Sequence, residues 1–178
     1  MNKHVSFEEV LSAKENRQKL RALIWSFMPY TLISFTVNYV GTIKKNPDTL
    51  LIFQQGVGKI EKTFYGAISF KQLNYFDTGY EGYFAVDKDA KEVKKIVSSL
   101  EDSQILGRLW DIDVFDNQNN QLTRGDIGLK KRKCLVCEEC ADDCYVVRRH
   151  NQQELMLKIK DILKKFRDMP EGNNVYGK

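Results

Sequence analysis

Apolar and polar residues alternate along residues 32–40, with Ile33, Phe35, Val37 and Tyr39 on one side, the period-two pattern of a strand. Upstream, Ser6 and Glu9 have the spacing of a capping box, which predicts a helix from Ser6 to about Phe27. Residues 41–48, with Lys44, Lys45 and Pro47, read as a loop. Residues 48–62 read as a helix, with Leu51, Ile52, Gln55 and Ile60 sharing a rough apolar side. Strands are expected over 66–76 and 82–86, joined by the turn Asp77-Thr78-Gly79. Val93, Ile96, Val97 and Leu100 line one face of an amphipathic helix over 90–100. Residues 108–115 form a strand, and the polar run 116–120 turns the chain into a further strand over 121–126. The cysteine-rich stretch that follows reads as irregular. A last amphipathic helix spans 151–166 with Asn151 as its cap, and the tail from Pro170 is expected to fray.

The middle order is strand, helix, strand, strand, helix, strand. It predicts an α+β fold, a ferredoxin-like βαββαβ antiparallel sheet with added N- and C-terminal helices. Helices should cover one face of that sheet and leave the other for a site. A nucleotidyltransferase-type mixed sheet is the alternative architecture. With 178 residues, 42% hydrophobic and 29% charged, the chain suits a single domain over 1–178, with a metal-knuckle subregion at 130–150. The net charge of +4 is compatible with a phosphate-rich substrate but lacks the dense basic stripe of a nucleic-acid binder. The uncharged run 22–43 is long enough to span a bilayer. Pro29, its many hydroxyls and its strand-like second half argue against a membrane span. Four cysteines within eleven residues fit metal ligation in a reducing cytoplasm better than a secreted disulfide framework.

Two clusters carry chemistry. Asp111 and Asp113 lie two apart on a strand and share a face, with Trp110, Ile112 and Val114 on the other. Paired carboxylates repel unless a cation lies between them. Magnesium with substrate phosphates is one solution, and an ion pair to a residue such as Arg124 on a solvated face is the other. Gly107-Arg108 before the strand and the loop at Gly41 and Lys44 are candidate phosphate contacts, or ordinary solvated loops. Cys134-x-x-Cys137 is a metal-knuckle spacing. With Cys144 and His150 it makes a closed zinc set; with Cys140 and Cys144 instead it approaches an iron–sulfur run. The flanking Lys130-Lys131-Arg132-Lys133 either favours thiolate formation or is a solvated charge run.

The residues Leu106-Gly107-Arg108-Leu109-Trp110-Asp111-Ile112-Asp113-Val114, Arg124-x-Asp126, Cys134-Leu135-Val136-Cys137, Cys144 and His150 resemble the apo-citrate lyase phosphoribosyl-dephospho-CoA transferase family. Residues 15–18, 33–36 with Gly41-x-Ile43-Lys44, and Thr78-Gly79-x-Glu81-Gly82 extend the resemblance over about residues 10–165. The resemblance implies transfer of a phosphoribosyl-dephospho-CoA group from triphosphoribosyl-dephospho-CoA to a serine of the citrate lyase acyl carrier protein, with release of pyrophosphate. It implies magnesium on Asp111 and Asp113, Asp126 as a third carboxylate (ligand or base), and Gly41, Lys44, Gly107, Arg108 and Arg124 against the substrate. It also implies structural zinc on Cys134, Cys137, Cys144 and His150, because Cys140 is extra to the family pattern. The chain departs from that pattern at Gln104-Ile105, where a His-Pro is usual, and at Val146, where an arginine is usual. A zinc-stapled binding module for protein or RNA is the competing reading.

Overall fold

A computed structural model describes residues 3–169; the tail expected to fray from residue 170 lies outside them. Among the described residues the chain forms α1 (Phe7–Phe27), β1 (Thr31–Val37), α2 (Pro47–Thr63), β2 (Ile68–Phe76), β3 (Gly79–Val86), α3 (Ala90–Ser103), β4 (Trp110–Phe115), β5 (Gln121–Leu122), α4 (Ala141–Val146) and α5 (Gln152–Arg167). Short 3-10 turns occupy Ile105–Leu109 and Gly125–Ile127. The helix starts follow local chemistry. Ser6 and Glu9, Asn46 and Thr49, and Asn151 and Glu154 each form a reciprocal capping box, and the Asp89 carboxylate accepts from the amides of Lys91 and Glu92.

The sheet order is β2-β3-β1-β4-β5, and all of these pairings are antiparallel. The α+β class therefore holds, and the mixed-sheet alternative does not. One face carries Ile33, Phe35, Phe84, Val86, Trp110, Ile112 and Val114 into the main core. There they meet Ile52, Phe53 and Ile60 of α2, Val93 and Val97 of α3, and Ile159, Leu163 and Phe166 of α5. The Trp110 indole N–H, buried in this layer, donates to the Ile52 carbonyl at 3.0 Å.

The second face is not left open, as the sequence suggested. Helix α1 lies across it. Its C-terminal half packs Leu20, Ile24 and Met28 onto Leu32, Phe70, Tyr83 and Phe115. Toward its N-terminus the sheet face beneath it turns polar. Register aligns Asp113, Ser34 and Tyr83 across β4, β1 and β3 in one row, and Asp111, Thr36 and Glu81 in the next.

Two strand boundaries also differ. Arg108 precedes β4 in a 3-10 turn, because Gly107 tucks against the end of α3. β5 stops after Leu122, because the Asp126 carboxylate accepts from both the amide and the hydroxyl of Thr123, each at 2.7 Å, and turns the chain. Past β5, two backbone groups of β4 are met by side chains of α3. The Ile112 N–H donates to Glu101 Oε1 at 3.2 Å, and Lys94 Nζ donates to the Ile112 carbonyl at 3.3 Å. Among the described residues no helix is long and apolar enough to cross a membrane; the run 22–43 is divided between α1, β1 and the loop after it.

Candidate active site and metal knuckle

Asp111 is exposed and Asp113 partly buried on the α1 face of β4. Neighbouring strands orient both. Thr36 Oγ1 donates to Asp111 Oδ2 at 3.3 Å, and Gln121 Nε2 donates to Asp113 Oδ1 at 2.8 Å. Burial, then the charge of Asp111, raises the Asp113 pKa above the usual carboxylate range; Lys94 and Arg21 oppose the shift. The pair is therefore an electrostatically loaded site that a cation would relieve.

Glu81, in the Asp111 row, is buried and receives Arg17 Nη1 at 3.2 Å and the Tyr83 hydroxyl at 2.9 Å. Burial, then Glu81, raises the Tyr83 phenol well above its ordinary pKa, which keeps it a donor. A cleft of about 140 Å³ beside this row is lined in part by Arg17, Thr36, Tyr39, Lys44 and Glu81. Lys44 donates to the Tyr39 carbonyl at 2.5 Å, and burial lowers its pKa. Gly41 sits in the same loop with φ of 94°, a conformation that glycine adopts without strain. The loop is tied to the N-terminus by the Val5 amide, which donates to the Thr42 carbonyl at 2.8 Å.

The other expected substrate contacts are engaged within the fold. A Cβ on Gly107 would collide with the Glu101 carbonyl and come within 2.7 Å of the Leu100 carbonyl, so this glycine is required for close packing on α3. Gly107→Ala is expected to lower stability by about 2–3 kcal/mol in urea unfolding. Arg108 Nη2 donates to the carbonyls of Lys133 and Cys134 at 2.8 and 3.0 Å, tying the cysteine segment to the sheet. Arg124 binds Asp102 at 2.8 Å and buried Glu101 at 3.1 Å. Burial raises the Glu101 pKa, opposed first by the charge of Arg132. Arg124→Ala removes a partner from this buried carboxylate. It is expected to cost about 3 kcal/mol of stability in denaturant titrations, with the Michaelis constants of the folded enzyme near wild type. Asp126, besides capping Thr123, faces a separate cleft with Lys88, Lys91, Asp116 and Gln121, and its pKa is lowered by the Thr123 hydroxyl. Among the described residues, Asp111, Asp113 and Asp126 do not form a group that could hold one metal.

The cysteine segment is more ordered than expected. Lys133 and Cys140 pair as a small β-bridge, and the Cys134 amide donates to the Glu139 carbonyl at 2.5 Å. Helix α4 then returns Cys144, and Arg148, with φ of 46°, turns His150 inward. Ligand atoms of Cys134, Cys137, Cys144 and His150 all lie within 4.8 Å of one another. His150 Nε2 is 3.1 Å from Cys137 Sγ, and Cys137 and Cys144 sulfurs are 3.4 Å apart. Sulfurs around a tetrahedral metal with bonds of about 2.3 Å would sit about 3.8 Å apart, so the cluster could hold a metal with small adjustments. Cys140 stays outside it; its carbonyl accepts from the Cys144 amide at 3.2 Å at the start of α4. The basic run is largely engaged. Lys131 pairs with Asp142 and Lys133 with Glu138, while Arg132 donates to the Trp110 and Gly107 carbonyls.

The profile of the apo-citrate lyase phosphoribosyl-dephospho-CoA transferase family matches residues 5–166. The chain belongs to this family. Among its relatives, the apo-citrate lyase phosphoribosyl-dephospho-CoA transferases of Citrobacter koseri and Escherichia coli are 32% and 33% identical. Each alignment covers 89% of this chain and 88% of the relative. "Protein CitXG" of Haemophilus influenzae is 33% identical over 97% of this chain, which spans only 38% of that longer protein. Residues around Asp111 and Asp113 that sequence reasoning did not single out as site candidates are Arg17, Arg21, Thr36, Glu81 and Gln121. The resembling segments 15–18 and 78–82 contain Arg17 and Glu81, but only the strand register puts Glu81 in the Asp111 row, and only the packing of α1 brings Arg17 to it.

Proposed function

We propose that this protein attaches phosphoribosyl-dephospho-CoA, taken from its triphosphate precursor, to a serine of the citrate lyase acyl carrier protein. The observation that carries this reading is the Asp111–Asp113 pair on one sheet face, in a chain matched to the transferase family over residues 5–166. The serine Oγ attacks the α-phosphorus, the bond from that phosphorus to the bridging oxygen breaks, and pyrophosphate leaves. The serine proton passes to a base or to water. Such transfer depends on positioning and charge neutralisation more than on a covalent intermediate. Magnesium bound by Asp111 and Asp113 would polarise the phosphoryl oxygens. Thr36 and Gln121 hold the two carboxylates at fixed orientation, and Lys44 supplies positive charge in the adjoining cleft.

Zinc is the metal that suits the three thiols and one imidazole of the knuckle, as a closed structural site. Reduced thiols of this kind suit a cytoplasmic enzyme. The order β2-β3-β1-β4 with two intervening helices supports a ferredoxin-like unit, to which β5 adds an edge strand. No specific observation favours a binding module without catalysis.

The test is incubation with apo-carrier protein, the triphosphoribosyl precursor and magnesium, read by intact mass. The carrier should gain one prosthetic group, and a carrier lacking its serine should gain none. An unmodified wild-type carrier in the presence of folded enzyme would reject the reading.

A further inference from the structure

The inward stripe of α1 holds an unusual pair of residues. Val10, Ala13, Arg17, Leu20, Arg21 and Ile24 recur at helical spacing, and all are partly or wholly shielded from solvent. Four of the six are apolar, as a helix packed on a sheet requires. The remaining two are arginines one turn apart, brought over the sheet face that carries Asp111 and Asp113. Two like charges at this spacing repel, and shielding a guanidinium from water is unfavourable.

The two have different surroundings. Arg17 is held by Glu81 at 3.2 Å. Arg21 makes no ion pair or hydrogen bond to another side chain among the described residues. Its guanidinium carbon lies 4.7 Å from the centre of the Phe115 ring, and Asp113, Tyr83 and Glu81 act on it electrostatically from the sheet. Arg108, Arg124 and Arg132, by contrast, are committed to protein carbonyls or carboxylates. Near the Asp111–Asp113 face, Arg21 is therefore the arginine whose donors are uncommitted, and Arg17 beside it is held through one contact to Glu81.

We propose that Arg21, assisted by Arg17, binds the polyphosphate of the nucleotide precursor. This assignment rests on the transferase reading above and adds to it the residues that hold the leaving group. A guanidinium offers donors in a planar fork that matches phosphate oxygens. Arg21 is oriented by Phe115 with its donors uncommitted. Arg17 is held in place by Glu81 and keeps further N–H groups for the ligand. Lys44, which lines the cleft with Arg17 and Glu81, adds a third positive charge on the same side. Bound polyphosphate would offset the mutual repulsion of the two arginines and bring its own charge toward the carboxylate pair with a divalent cation between them. Helix α1 then acts as a strap across the substrate as well as a packing element.

The probe is inorganic tripolyphosphate, titrated calorimetrically into the zinc-loaded protein in chelator-free buffer without magnesium and again with magnesium. Arg21→Ala should weaken binding about 10-fold or more under both conditions, the loss expected for charge-assisted hydrogen bonds. Arg17→Ala should weaken it several-fold. Lys19→Ala, an exposed change of equal charge on the same helix, should leave it unchanged. In the transfer assay Arg21→Ala should raise the Michaelis constant for the precursor and leave that for the carrier protein alone. If Arg21→Ala does not fold, Arg21→Lys is read instead; it keeps the charge, loses the fork, and should still bind several-fold more weakly. Wild-type affinity in the Arg21 and Arg17 variants, with the wild type transferring normally, would overturn this assignment alone. A folded wild type that neither transfers nor binds tripolyphosphate would overturn the transferase reading with it.

Discussion

Asparagine in place of Asp111 or Asp113 is expected to reduce transfer by at least ~10³-fold, the scale at which charge stabilisation of a reacting phosphoryl group is lost. Asparagine is nearly isosteric and keeps an oxygen for Thr36 Oγ1 at position 111 or Gln121 Nε2 at position 113. What disappears is one negative charge of the pair. The fold should not suffer, because the buried side of β4 is carried by Trp110, Ile112 and Val114. At position 113 the change should be neutral or slightly stabilising, since burial and Asp111 already disfavour ionisation there. Single-turnover mass measurements on the carrier, paired with melting curves, separate the two effects. Near-normal turnover in both variants would mean that the reaction uses other groups.

Cys137→Ser or Cys144→Ser should empty the knuckle of metal, from about one ion per chain to near none by elemental analysis. A structural zinc site contributes on the order of 10 kcal/mol to ordering its own ligand loop. The main core is built from other elements, so the loss should unfold residues 130–150 locally and leave the sheet intact. Hydrogen exchange would then accelerate in that segment first. Transfer should fall too, because Arg108 and Arg132 connect the segment to Gly107 and Trp110, next to Asp111. Cys140→Ser should keep the metal, since Cys140 stands outside the ligand cluster. The opposite pattern, metal kept in Cys144→Ser and lost in Cys140→Ser, would reassign the ligands.

Features written in local spacing were readable in the chain. The capping box at Ser6, the cap at Asn151, the shared face of Asp111 and Asp113, and the metal-knuckle spacing at Cys134 and Cys137 follow from residues close in sequence, while the choice of Cys144 and His150 over Cys140 came from the family resemblance and agrees with the cluster in the fold. What depends on long-range register was not readable. Arg124 and Gly107 look like phosphate contacts beside an acidic strand, yet α3 lies against both of them. Glu81 looks like a turn residue, yet pairing with Thr36 puts it in the Asp111 row. Helix α1 misled for a physical reason. Its inward stripe contains arginines, so its apolar pattern is too weak to show that it covers the second sheet face.

The side chains of Glu101 and Lys94 at Ile112 have a consequence for self-association. β5 shields only the Val114–Phe115 end of β4, which leaves the Trp110–Ile112 stretch as an edge where a strand from another molecule could add. Glu101 and Lys94 take the amide and carbonyl that such a strand would need, and Arg132 takes the Trp110 carbonyl. Charged side chains thus stand in for a sixth strand and guard the sheet against open-ended intermolecular pairing. A variant that neutralises Lys94, leaving the Glu101 ion pairs in place, should show increased concentration-dependent self-association in sedimentation or light scattering.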